Sequence, residues 1–176
     1  MRKRRPLLVS IAGALALLAA PATAGADEPS AATLEVTGGS LTITVPADAG
    51  SLGTRANSVL GGTISGSLGQ VQVNDARSAA AGSGWVASAI STAFTPPSGP
   101  AIAASAVGYS AGPIVKVGTA TYTPHDRSDL TAVAPVVTAT GITGDNSATW
   151  NPTISIAVPG GVAANVYSAT ITHSVL

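Results

Sequence analysis

"NSATWNPTISIAVPGGVAANVYSATITHSV", residues 146–175, alternates between large and small side chains in a way that decides the fold. Side chains two apart on an extended chain point the same way, so Ile154, Ile156 and Val158 share one face with Trp150. Pro159 stops that run, and Gly160 and Gly161 supply a turn. A second alternation opens at Tyr167 and carries Ala169, Ile171, His173 and Val175 on one face. Apolar residues at three-to-four spacing, the mark of a helix, are missing. The segment reads as half-buried antiparallel strands.

The same pattern extends outward through the chain. Strands are predicted over 33–36, 41–45, 63–65, 70–75, 85–91, 115–123, 136–140, 153–158 and 166–175, with Gly and Pro punctuating the intervals. Leu41, Ile43 and Val45 share a face, as do Val71 and Val73. Such strands predict an all-β, antiparallel two-sheet sandwich with Greek-key, immunoglobulin-like connections. The Ala-rich stretch 97–112 is compatible with a short helix, a loop, or a strand around 101–106.

Residues 1–24 have the form of a signal peptide. Arg2 to Arg5 make a basic start, residues 7–20 an apolar core, and Ala22-Thr23-Ala24 a small-residue cleavage pattern, with Ala26 as the alternative site. The apolar run is too short for a stable span and nothing later resembles one. The expectation is a secreted, extracellular or wall-associated protein with a flexible lead-in at 25–32 and one domain at 33–176. The strongly apolar core after so short a basic start favours the general secretory route over the twin-arginine one. Four of the eight basic residues lie in that leader, so four remain against eight acids. A net-negative chain has no bulk attraction for nucleic acid or other polyanions. Without cysteine, the exported fold must rest on its core and its backbone pairing.

Candidate chemistry is sparse. His125 lies in "TPHDRSD" (123–129), where Pro, Asp and Ser favour a turn over a Ser128-His125-Asp126 triad. No paired histidines or cysteines suggest zinc, and Asp145-Asn146 beside Gly144 reads as hairpin chemistry rather than a calcium loop. No carboxylate pair suited to glycoside cleavage stands out. The chain is therefore read as non-enzymatic, with no cofactor or metal. Trp85, Trp150 and the few other aromatics are first of all core anchors, each contributing about 1.5–3 kcal/mol when buried. The binding alternative is that Trp85 or Trp150 keeps a face exposed for stacking on a sugar ring.

Two blocks together carry a resemblance. Residues 68–88 run from a strand into Val73-x-Asp75-x-Arg77, then a small-residue loop ending at Gly84-Trp85, then a second strand. Residues 146–175 supply Trp150, a strand closed by Pro159, a Gly-rich turn and a terminal strand opened by Tyr167. Their order and spacing resemble the WxL domain of Gram-positive surface proteins, above all the shorter actinobacterial forms. The resemblance implies a secreted β-sandwich held noncovalently on peptidoglycan or another wall glycan, sometimes with other surface proteins. The first name-giving motif falls on Trp85 with Ala87; the second falls on His173 with Val175, where a histidine replaces the tryptophan. Trp85, Trp150, Tyr167 and His173 are the candidate ligand-binding residues, and Asp75, Arg77 and Asn165 the structural ones. Asp75 and Arg77, two apart, are expected to pair at a strand end, for about 0–1 kcal/mol if exposed. Asn165 stands where relatives carry Gly and is expected in a tight turn at positive φ. No LPxTG-type motif follows the last strand, so retention on the wall is expected to be noncovalent. The competing readings are a subunit of an extracellular assembly that binds protein partners, and a wall or polysaccharide hydrolase.

Overall fold

The computed structural model describes residues 33–176, of which Val36–Leu176 form one compact unit; the expected signal peptide and lead-in lie outside the described residues. Two antiparallel sheets enclose one core. Among the described residues there are eight strands: β1 (Leu41–Thr44), β2 (Gly62–Ser67), β3 (Val71–Ser91), β4 (Val107–Ser110), β5 (Ile114–Pro124), β6 (Ala134–Trp150), β7 (Thr153–Val158) and β8 (Ile171–Val175). The larger sheet runs β1-β3-β6-β5, with β8 also paired to β3; the smaller runs β2-β7-β4. The chain crosses from one sheet to the other at Asn151-Pro152, so Trp150 closes the inner face of the first sheet and Ile154 opens that of the second. Among the described residues no helix is long and apolar enough to cross a membrane.

Strand parity follows the sequence where large side chains alternate. Val71, Val73 and Asp75 point inward from β3 opposite Trp150, Ala148 and Asn146 of β6, in that order. Ile154 and Ile156 of β7 and Val107 and Tyr109 of β4 meet them from the other sheet.

Several expectations fail, each for a tertiary reason. Residues 33–36 form no strand: Leu34 and Val36 are 90% and 80% exposed, because alternation alone provides no neighbour to pair with. The small-residue loop expected between Arg77 and Trp85 and the hairpin turn expected at Asp145-Asn146 are both absorbed into long strands, β3 and β6. The ten steps from Asp75 to Trp85 lie opposite only seven from Asn146 to Ala139, so the two strands stay paired through a succession of bulges. Ser78 takes a left-handed φ of 52° in that bulge, and its N–H donates to the Asp145 carboxylate at 2.9 Å. The stretch 97–112 resolves into a 3-10 turn at Ala104–Ala106 followed by β4, which begins where the strand option of 101–106 ended. The terminal strand is shorter than expected. Its first half is no regular strand: it is held by one bridge, Thr95 to Ser168, and by hydrogen bonds between Thr92 and Thr170. Asn165 does not adopt positive φ; Gly161 does that work, and Asn165 instead accepts from the Val166 N–H and donates to the Ser98 carbonyl.

Candidate functional site

The Asp75–Arg77 element forms one end of a buried polar chain. Asp75 is the last inward residue before the β3 bulge, and its side chain is fully buried. Arg77, 37% exposed, reaches back along its own strand: Nε donates to Oδ1 at 2.8 Å and Nη2 to Oδ2 at 2.9 Å. Nη2 also donates to the Gly84 carbonyl at 3.3 Å, so the guanidinium clamps both ends of the bulge. The Arg77 hydrogen bonds hold the Asp75 carboxyl below the usual carboxylate range, against the upward push of burial. The pair was expected at a strand end; one partner of it is buried, so the small value for exposed pairs does not apply.

Asn146, the cross-strand neighbour of Asp75, is the hub. Its Nδ2 donates to Asp75 Oδ2 at 3.2 Å, while Oδ1 accepts from Trp85 Nε1 and from the Tyr122 hydroxyl, each at 3.1 Å. Trp85 and Tyr122 lie with ring centroids 5.6 Å apart and planes inclined at 49°, a favourable tilted contact. Burial first, and the nearby Asp75 charge second, push the Tyr122 phenol up. The sequence contained a signal for Asn146 after all: it is in phase with Ala148 and Trp150, and a polar residue in an inward row needs partners.

Trp150 belongs to a second chain that crosses between the sheets. Its Nε1 donates to the Tyr109 hydroxyl of β4 at 2.8 Å, and that hydroxyl lies 3.2 Å from His173 Nε2 of β8. The indole N–H can only donate, so the Tyr109 oxygen accepts from Trp150 while it also pairs with His173 Nε2. His173 Nδ1, on the other side of the ring, is buried and has no hydrogen-bond partner. Burial pushes the His173 pKa down to about 4 and raises that of Tyr109. His173 is a neutral imidazole at pH 7.

Trp85 and Trp150 are each 2% exposed, which overturns the idea that either indole keeps a free face for a sugar ring. Parity explains this: Trp85 shares its face with Ala87 and Ala89, all buried. The sequence candidates thus separate into two clusters. Asp75 and Arg77 join Trp85; His173 joins Trp150. Tyr167 belongs to neither. Half-buried at the head of the His173 row, it donates to the Ala163 carbonyl at 3.0 Å and so closes the preceding turn. His125 lies 2.9 Å from the Thr138 hydroxyl, and no hydrogen bond joins it to Ser128 or Asp126.

The opposite face of the larger sheet is built differently. Across β1, β3, β6 and β5 the register aligns Thr44, Gln72, Thr149 and Val115 in one row and Thr42, Asn74, Ser147 and Val117 in the next. All eight point away from the core, and none carries a charge. Sequence reasoning did not single them out, because six polar residues and two valines from four strands gain meaning only when the register sets them side by side. Comparison with protein-family models, with curated proteins and with solved structures found no match.

Proposed function

We propose that this chain is an exported, non-catalytic surface protein of WxL-like type, with Greek-key, immunoglobulin-like connections, that holds noncovalently to the peptidoglycan cell wall. The observation that carries the reading is the uncharged outer face of the larger sheet. Hydroxyl and amide side chains at strand spacing give a neutral array of donors and acceptors, suited to the hydroxyl and acetamido groups of a glycan. Without its expected leader the chain carries four basic residues against eight acids, so bulk charge does not draw it to the wall and a neutral contact is needed. The buried indoles act in this reading as supports for the sheet and not as the contact itself.

A protein partner is the second reading. Val115 and Val117, 70% and 67% exposed on the edge strand β5, favour it, since paired apolar side chains beside a free strand edge suit strand addition.

Co-sedimentation with purified peptidoglycan separates the two. The protein is expected in the pellet, and Gln72→Glu with Asn74→Asp is expected to lower the bound fraction several-fold while changing stability by less than about 0.5 kcal/mol. A protein that sediments no more than an unrelated control would end the wall reading and leave the partner reading standing.

A further inference from the structure

A recess of about 280 Å³ opens beside β5, lined by Gly112, Pro113, Ile114, Lys116, Tyr122 and Pro124. It lies just below the usual span of ligand sites, which run from roughly 300 to 1,000 Å³. Its walls are two prolines, an isoleucine and a phenol ring, and its one charge is an ammonium. The other cations among the described residues are committed. Arg77 is paired with Asp75, Arg55 donates to the Gly61 carbonyl and Arg127 to the Pro135 carbonyl. Of the described Lys and Arg residues, Lys116 alone has neither a side-chain hydrogen-bond nor an ion-pair partner within the fold.

Two further features fit the recess to a peptide end. β5 is the outermost strand of its sheet, so one edge of its backbone is unpaired beside the recess. Tyr122 is held in place, its hydroxyl donating to Asn146 and its ring resting against Trp85, so this wall is set before a ligand arrives. The arrangement offers a cation for a terminal carboxylate, apolar walls for small side chains and a strand edge for the last amides.

Building on the wall-binding reading, we propose that this recess takes the free C-terminal carboxylate of a cell-wall stem peptide ending in small apolar residues. Lys116 holds the carboxylate, and Tyr122, Pro113, Pro124 and Ile114 enclose the terminal methyl groups. A charge-assisted contact of this kind raises affinity about tenfold over its uncharged counterpart.

The test is an NMR titration of the protein with N-acetyl-D-alanyl-D-alanine, its C-terminal amide, the L,L isomer and glucuronic acid. The free D,D acid is expected to shift resonances of Lys116 and Tyr122, with the amide about tenfold weaker and Lys116→Gln equally weakened. Lys116→Gln lies at an exposed edge position and keeps the fold, which the unshifted spectrum of the core verifies. Equal binding of acid and amide, no effect of Lys116→Gln, or no shift at all would overturn the proposal. Preference for the L,L isomer would assign the recess to a protein C-terminus, and preference for glucuronic acid to an acidic sugar; either result also overturns it. Failure here with continued co-sedimentation removes only the recess, whereas lost co-sedimentation with a positive titration removes only the wall reading.

Discussion

The two tryptophans of this chain are equally buried but are held by opposite kinds of polar contact. Trp85 is tied within one sheet, through Asn146 to a carboxylate that Arg77 neutralises, and every oxygen of that carboxylate is used. Trp150 is tied between sheets, through Tyr109 to a neutral histidine with one nitrogen left over. The first arrangement fixes the register of β3 on β6 across a run of bulges, where backbone pairing is broken. The second fixes the distance between the layers. Charge is tolerated in the first because the Arg77 end reaches water, and excluded from the second because no countercharge contacts it.

The comparison can be broken at either end. Arg77→Ala leaves a buried carboxylate without its partner and is expected to destabilise the fold by about 3 kcal/mol, the largest effect here, measured by urea unfolding at pH 7. Asp75 has a depressed folded-state pKa, so its contribution is present above its unfolded value of 3.8 and is lost as pH falls through the lower folded value. That loss on the acid limb is expected to disappear in Asp75→Asn. An Arg77→Ala protein as stable as the parent would mean that the bulge is held by backbone alone.

His173→Phe is the milder change. It removes the orphaned Nδ1 but also the partner of the Tyr109 hydroxyl, so stability at pH 7 is expected to move by no more than about 1 kcal/mol. The informative readout is its pH dependence. The folded pKa of about 4 lies below the ordinary 6.5, so the unfolded chain binds the proton first, and stability is full above 6.5 and falls as pH drops toward 4. Thermal melts of the parent are expected to decline across that window, with those of His173→Phe flat there. Two separate pH windows would thus report on the two clusters. A parent protein whose stability is level between pH 6.5 and 4 would contradict the burial of this imidazole.

Much of this was legible in the alternation of large side chains. The Ile154, Ile156 and Val158 run became β7 at its predicted limits, and His173 stands in the inward row with Tyr167, Ala169, Ile171 and Val175 as read. What escaped was everything that depended on a neighbour. Residues 78–84 look like a loop because Gly, Ala and Ser fill them, and Gly144 to Asn146 look like a hairpin turn; both remain strand because β3 and β6 lie alongside each other and take up the excess as bulges. At Gly118, φ is 86° and an added Cβ would meet the Asp145 carbonyl at 2.6 Å, a closeness of β5 to β6 that composition does not announce. Asn146 looked like turn chemistry because its local sequence suits a turn; its partners, Asp75, Trp85 and Tyr122, are 71, 61 and 24 residues away. The outer face of the larger sheet likewise required the register before its eight uncharged residues could be placed together.

Central to this account is that both indoles are spent inside the fold, so that any ligand must be met elsewhere. Hydrogen exchange at the two indole N–H groups, followed by NMR with and without solubilised peptidoglycan fragments, tests this most directly. Both are expected to exchange slowly, at rates set by opening of the sheets, and to keep their resonance positions when fragments are added while β5 and the outer face respond. An indole N–H that exchanges at once, or that shifts with the fragments, would contradict the account and return Trp85 or Trp150 to the binding surface.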